Sequence, residues 1–208
     1  MWRISGIFRD VMLIFVPEVR IADIYARASF SADFSCAKFK AGIQADARRA
    51  GLSGGRLSVV LADADGNPAA EGTLALPDIA EKGRSVVKFE SVVDAPKLWS
   101  SEDPYLYTLT VVLYDADGKE IDRRSLKFGF REVKILPKRG KEDPVILLNG
   151  KKLKIRGVNR HEFHPEYGHA VPAELIEKDL ILLRNNNINS VRTIPTPAHS
   201  TTSATVTA

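Results

Sequence analysis

The chain has 208 residues, enough for one domain of about 100 to 130 residues and part of a second. Hydrophobic residues make up 44% and charged residues 27%, which is typical of a protein that buries a core and argues against disorder. The 30 Lys and Arg exceed the 26 Asp and Glu by only four, and they are scattered, so we expect neither a nucleic-acid partner nor a membrane partner.

The first feature in chain order is the apolar run at residues 11–16, which is too short for a membrane span or a signal sequence. We expect it to form a buried strand. Cys36 is the one cysteine, so no intrachain disulfide can form and nothing indicates an oxidising compartment. The expected location is therefore the cytoplasm.

Residues 19–130 repeat one pattern, in which short segments alternate apolar and polar residues and end at Gly, Asp, Asn or Pro. This pattern is typical of antiparallel strands. In the clearest segment, residues 105–113, apolar side chains alternate with Thr108 and Thr110. About seven such segments predict a mainly β protein that contains an immunoglobulin-like antiparallel β-sandwich.

Two stretches have nearly the same sequence, VVLADADG at residues 59–66 and VVLYDADG at residues 111–118. Each ends in an Asp-Gly pair, which suits a hairpin turn that needs a positive φ. A calcium loop would need an oxygen ligand where Leu61 and Leu113 stand. The stretches therefore predict two similar hairpins.

After Phe130 the spacing of the apolar residues changes. Leu153 and Ile155 predict a short strand, residues 158–171 a loop, residues 172–187 a helix and residues 188–192 a second strand. Parallel strands need a crossover helix between them. This order therefore predicts one βαβ unit, the start of a larger parallel sheet or barrel.

Four segments, taken in order and spacing, resemble glycoside hydrolase family 2: MWRISGIFRDV at 1–11, PKLWSSEDPYLYTL at 96–109, FGFREV at 128–133 and LNGKKLKIRGVNRHEFHPEYG at 148–168. Arg160 followed by HEFHP resembles the β-galactosidase branch more than the glucuronidases. The resemblance implies a jelly-roll domain, a sandwich and a (β/α)8 TIM barrel in the family. Here it implies a jelly-roll remnant at 1–17, the sandwich at 18–130 and a truncated barrel start at 131–193. Residues 194–208 depart from the family and have no apolar period, which predicts an aberrant, disordered tail.

The resemblance also implies a sugar-binding role for Asn159, His161 and Arg192. His161 matches a family histidine that binds a sugar hydroxyl more tightly in the transition state than in the ground state. Arg192 matches an arginine that steadies the nucleophile carboxylate. The structural alternatives are a loop-capping histidine and a surface salt bridge. Trp99 and Tyr105 are expected to serve packing instead.

The segment HEFH also suggests zinc, but it is one residue shorter than the helical His-Glu-x-x-His motif. Glu162 suggests a general acid, yet retaining glycosidases need two carboxyl groups about 5 to 5.5 Å apart. In the family both come from later barrel strands. We therefore predict no metal site and no catalytic carboxylate in this chain.

The expected function is that of a fragment of a retaining β-galactosidase, which cleaves terminal β-D-galactosides such as lactose, inactive as it stands. The resemblance implies magnesium and sodium for the full-length family, no cofactor in this chain, and frequent homo-oligomers. The alternative is a non-catalytic immunoglobulin-like interaction or carbohydrate-associated module. Beyond Thr193 the chain departs from the family, and a changed reading frame, a sequencing error or a splice error would explain the departure; the alternative is a flexible linker.

Overall fold

The computed structural model describes residues 7, 11–137 and 144–193. The chain divides into two compact units, Val16–Leu153 and a second unit made of Met1–Phe15 and Lys154–Ala208. The predicted tail at 194–208 lies outside the described residues, as does most of the predicted jelly-roll remnant. The domain boundaries expected at residues 17, 130 and 193 stay predictions.

The first unit contains the sandwich predicted from the alternation. Seven strands form two antiparallel sheets with the orders β1-β2-β5 and β4-β3-β6-β7. These strands are β1 (Val19–Phe30), β2 (Cys36–Ala47), β3 (Arg56–Ala62), β4 (Pro68–Ala75), β5 (Arg84–Asp94), β6 (Tyr107–Tyr114) and β7 (Glu120–Phe128). On β6, Leu109 and Leu113 are fully buried while Thr108 and Thr110 are only half-buried, so the predicted alternation is confirmed.

Aromatic rings fill the space between the two sheets. Phe39 of β2 is fully buried, and its ring centroid lies 5.0 Å from that of Phe128 on β7 and 6.2 Å from that of Phe89 on β5. Phe130 extends the cluster, with its centroid 4.9 Å from that of Tyr107. These edge-to-face contacts join the strands of one sheet to those of the other, so the core depends on them.

The two similar stretches, residues 59–66 and 111–118, form the predicted hairpins, one between β3 and β4 and one between β6 and β7. Their turn glycines, Gly66 and Gly118, have φ values of +88° and +86°. The backbone N–H of each donates to the carbonyl of the aspartate three residues earlier, Asp63 or Asp115. A side chain at either glycine would be strained, which explains the repeated Asp-Gly pair.

A second, smaller sheet follows within the same unit. It contains β8 (Val133–Leu136), β9 (Val145–Leu148) and β10 (Lys151–Lys152) in the antiparallel order β10-β9-β8. Asn149 lies in the turn after β9, where its side chain accepts a hydrogen bond from Glu132 N at 2.9 Å and donates one to Trp99 O at 3.0 Å. One side chain thus ties this small sheet to the sandwich.

The described part of the second unit holds the predicted βαβ arrangement: β11 (Gly157–Arg160), α1 (Ala173–Asn185) and β12 (Ser190–Thr193), with β11 and β12 parallel. Pro172, expected in the first helical turn, is instead the N-cap residue of α1 and has extended backbone. The structure contains no helix, among the residues it describes, that is long and apolar enough to cross a membrane. The cytoplasmic location stays a prediction.

The position predicted for the first barrel strand is wrong. Leu153 follows β10 and donates its backbone N–H to Ile146 O at 2.8 Å, so it completes the small antiparallel sheet. The strand that pairs with β12 starts at Gly157, where a Cβ atom would lie 3.3 Å from Ser190. The alternation of Leu153 and Ile155 is typical of a strand and can be read from the local sequence. The strand with which a segment pairs cannot be read from it, because pairing depends on the rest of the fold.

The apolar run at residues 11–16 was expected to be a buried strand, and this expectation is also wrong. Val11, Leu13 and Phe15 are more than 80% exposed, and residues 11–16 belong to no strand. A strand requires a hydrogen-bonded neighbour. Within the ranges that the structure describes, every strand pairs with another segment.

The outer face of β2 and β5 carries a three-residue ion cluster that makes a testable contribution to stability. Glu90 accepts from Lys38 Nζ and Lys40 Nζ, both at 2.9 Å. These hydrogen bonds, that from Lys38 first, lower the pKa of Glu90 from 4.5 to about 2. Because the folded-state pKa is the lower one, the stabilisation is present above about pH 4.5 and is lost as the pH falls toward 2.

We therefore expect Glu90→Gln to lower the stability measured by urea unfolding at pH 7, with the difference from wild type vanishing near pH 2. Glu71→Gln, which removes an exposed carboxylate from β4, is the matched control and should leave the pH profile unchanged. A loss of stability in Glu90→Gln that has the same size at both pH values would contradict an electrostatic origin of the stabilisation.

Candidate sugar-binding site

Two of the residues implied in sugar binding lie side by side at the ends of the parallel strands. β11 and β12 pair in a register that places Asn159 opposite Arg192 and Arg160 opposite Thr193. Side chains of paired residues project from the same face of a sheet, and neighbours along a strand project from opposite faces. Asn159 and Arg192 therefore share one face, and both are exposed.

The helix α1 lies on the side of the other face of this strand pair. Arg160 donates to Oδ2 of Asp179 on α1 through Nε at 3.1 Å and Nη2 at 2.8 Å. Its side chain is only 11% exposed. This charge-assisted pair fixes the helix against the strands and leaves Asn159 and Arg192 on the face away from it.

His161 follows β11 directly and begins a loop that is folded on itself. His164 and Gly168 exchange two backbone hydrogen bonds of 2.8 and 2.9 Å, which close the loop. Nδ1 of His169 lies 2.8 Å from Glu162 O, and because a carbonyl only accepts, this nitrogen carries the proton. The backbone next to His161 is thus held by contacts within the loop.

The structure therefore brings Asn159, His161 and Arg192 to the same end of β11 and β12. One detail of the prediction is wrong: Asn159 and Arg160 were expected to follow the first barrel strand, and both lie within it. An amide, an imidazole and a guanidinium offer donors and acceptors of the kind that recognise sugar hydroxyls and carboxylates.

Sequence reasoning missed Asp179 and His169, which position the site without belonging to it. The sequence did contain a signal for Asp179. Arg160 and Asn159 are neighbours on a strand and therefore face opposite sides, so Arg160 faces the predicted crossover helix. A charge buried there needs an acidic partner on the helix. The bond from His169 to Glu162 O carried no comparable signal, since it depends on the path of the loop.

Zinc binding by the HEFH segment would need a cluster of ligand side chains. Across residues 7, 11–137 and 144–193, no group of three His, Cys, Asp or Glu is arranged to hold a metal ion. The residues described do not fit the magnesium or sodium that the resemblance implies, so we derive no step through either ion. Nδ1 of His164 accepts from Glu166 N at 3.2 Å, a bond local to the loop.

Trp99 and Tyr105 contribute packing in the sandwich unit. Arg131 stacks over the Trp99 ring with its guanidinium carbon 4.5 Å from the centroid. The Tyr105 hydroxyl accepts a hydrogen bond from Ala64 N at 3.0 Å, which holds the β3–β4 turn. Both contacts agree with the packing role expected for these two side chains.

Comparison with solved structures shows the same architecture in larger enzymes. A β-galacturonidase from Eisenbergiella tayi, solved with galacturonate bound, is 32% identical with a TM-score of 0.65 over 88% of this chain and 30% of that one. β-Glucuronidase 3 from Bacteroides uniformis is 23% identical, with a TM-score of 0.74 over 91% and 22%. A Bacteroides fragilis protein provisionally assigned as a β-galactosidase is 22% identical, with a TM-score of 0.74 over 88% and 27%.

This chain thus spans less than a third of the length of each of these structures. The two that are below 25% identity share its fold. The model of glycosyl hydrolases family 2 matches residues 19–131, and the model of that family's TIM barrel domain matches residues 141–204. With both matches in the family's order, the chain belongs to glycosyl hydrolase family 2.

Proposed function

We propose that this chain is part of a retaining β-galactosidase that hydrolyses terminal β-D-galactosides such as lactose. The observation that carries the proposal is the register of β11 and β12, which sets Asn159 beside Arg192 with His161 next to them. In (β/α)8 barrels the active site lies at the C-terminal ends of the strands. Asn159 and Arg192 occupy that end of this strand pair and face away from α1.

Each residue has a proposed role. His161 hydrogen-bonds a sugar hydroxyl and binds it more tightly as the transition state forms, which raises the rate of the chemical step. Arg192 orients the nucleophile carboxylate through its planar fork of donors. Asn159, beside it in the register, binds a hydroxyl of the same sugar.

The bond cleavage itself needs two carboxyl groups about 5 to 5.5 Å apart, supplied by later strands of a closed barrel. Two parallel strands are present in the described part of this unit. We therefore propose that a polypeptide of these 208 residues contributes sugar contacts and no turnover. Magnesium, sodium and homo-oligomeric assembly are proposed for the full-length enzyme alone.

A galacturonide is the second candidate substrate, because the β-galacturonidase from Eisenbergiella tayi is 32% identical to this chain. Galactose and galacturonate differ in the group at carbon 6, a hydroxymethyl in one and a carboxylate in the other. A direct comparison of the two sugars as ligands therefore distinguishes the two specificities.

The test is sugar binding by the full chain, followed through saturation-transfer NMR of methyl β-D-galactoside. We expect a weak signal for the galactoside that exceeds that for methyl β-D-galacturonide. His161→Ala and Asn159→Ala should each abolish it, because each removes a side chain that is proposed to hydrogen-bond a sugar hydroxyl. A chromogenic galactoside should show no hydrolysis with the same protein.

Two matched variants control this experiment. His164→Ala removes a histidine of the same loop whose ring accepts a hydrogen bond from Glu166 N, and Asn185→Ala removes an exposed asparagine of α1. Both should retain the galactoside signal. The proposal fails if wild type gives no signal, if the controls lose it equally, or if the galacturonide binds better.

A further inference from the structure

A cavity of about 380 Å³ lies at one end of the sandwich unit, remote in sequence from the proposed sugar site. It is formed where β1 begins, where β2 ends and where the loop before β5 turns into that strand. Its lining residues are Arg20, Asp46, Ala47, Arg48, Lys82, Gly83 and Arg84. Four basic side chains against one carboxylate leave a charge of +3.

The register of the sheet creates this concentration of charge. Arg20 of β1 pairs with Asp46 of β2, which pairs in turn with Arg84 of β5. One carboxylate on the central strand is thus flanked by two guanidinium groups. Asp46 Oδ1 accepts from Arg84 Nε at 3.0 Å and from Gln44 Nε2 at 3.2 Å, so its charge is already engaged.

Arg20 has one nitrogen that forms no hydrogen bond in the part of the chain that the structure describes. This nitrogen, Nε, is buried. A buried donor without a partner costs about 1 to 3 kcal/mol, and more when it is charged. An anion that enters the cavity would meet the guanidinium group of Arg20 as part of its lining.

Lys82, the fourth basic residue of the lining, lies in the loop before β5. Lys82 has a φ of +56°, and Gly83, the next residue, donates its N–H to Ala80 O at 2.9 Å. A Cβ atom at Gly83 would lie 2.7 Å from that same oxygen, so the turn requires glycine. Lys82 forms a long contact of 3.6 Å with Glu81 and stays mostly exposed.

We propose that this cavity binds a small molecule that carries a phosphate group. A phosphate monoester bears up to two negative charges and three acceptor oxygens, which matches several separate donors better than a carboxylate does. A volume of about 380 Å³ is near the lower end for ligand pockets, and it suits an ester of monosaccharide size. The site uses none of Asn159, His161 or Arg192, so it is independent of the proposed hydrolase function.

Isothermal titration of the full chain tests the proposal, with glucose 6-phosphate and inorganic phosphate as probes. We expect saturable binding of both, tighter for the ester. Arg20→Gln should weaken binding at least about tenfold, which corresponds to about 1.4 kcal/mol. Lys88→Gln removes one positive charge from β5 outside the cavity and should change the affinity less than about twofold.

Glucose and galacturonate are the ligand controls, and neither should bind to this cavity. If Arg20→Gln fails to fold by circular dichroism, Arg48→Gln, which alters an exposed lining residue, carries the same expectation. The proposal is overturned if glucose 6-phosphate does not bind, if Lys88→Gln weakens it as much as the cavity variant, if galacturonate binds as tightly, or if inorganic phosphate equals the ester.

Discussion

Replacing Phe39 by alanine is expected to lower the free energy of unfolding by about 3 to 5 kcal/mol. The ring is fully buried between the two sheets and contacts those of Phe89, Phe128 and Phe130. Its removal loses the transfer free energy of the ring and leaves a cavity that rigid strands on both sides cannot fill. Three edge-to-face contacts are lost as well.

Urea unfolding of the purified chain, followed by circular dichroism, measures this effect. Tyr25→Ala is the matched control, because Tyr25 lies on β1 with 66% of its surface exposed. Its replacement should change the stability by no more than about 0.5 kcal/mol. Equal losses in the two variants would show that the aromatic cluster does not hold the sheets together.

Replacing Asn149 by alanine is expected to cost about 2 to 3 kcal/mol. Its side chain forms one hydrogen bond to Glu132 N and one to Trp99 O, each worth about 1 kcal/mol. Asn149 also adopts a φ of +49°, in the left-handed region that asparagine tolerates better than alanine. The small sheet of β8, β9 and β10 should exchange its amide protons faster in the variant than the sandwich does.

Asn149→Gly separates the two contributions. Glycine accepts the positive φ without strain but cannot form the side-chain bonds, so it should be about 1 kcal/mol more stable than the alanine variant and still less stable than wild type. Hydrogen exchange of β9 together with urea unfolding measures both effects. A glycine variant as stable as wild type would falsify the bridging role of Asn149.

The strands of the sandwich and its two hairpins were predictable because they depend on local information. Alternation from Tyr107 to Leu113 assigns each side chain to a face whatever the partner strand is. The Asp-Gly pairs act within four residues, and Gly66 and Gly118 have the expected positive φ. The start of α1 after Pro172 is equally local.

For the candidate sugar site, the sequence supplied a set of residues and no arrangement, and their role stays a prediction. Asn159, His161 and Arg192 came from the resemblance to a family, which carries no geometry. Their proximity depends on the pairing of β11 with β12, and the alternation of Leu153 with Ile155 placed that first strand too early. A parallel pairing across more than 30 residues is decided by the crossover helix and by close packing at Gly157.

The sequence by itself determined the class of fold, the strands and turns of the sandwich, the succession of strand, helix and strand after it, and the family. Only the tertiary structure decided which charged side chains meet. Arg20, Asp46 and Arg84 are far apart along the chain, and they form one row because three strands pair in a particular register. The periodicity of the sequence predicts which face of a sheet a residue occupies. Its neighbours on that face depend on the register, and the register follows from packing over the whole sheet.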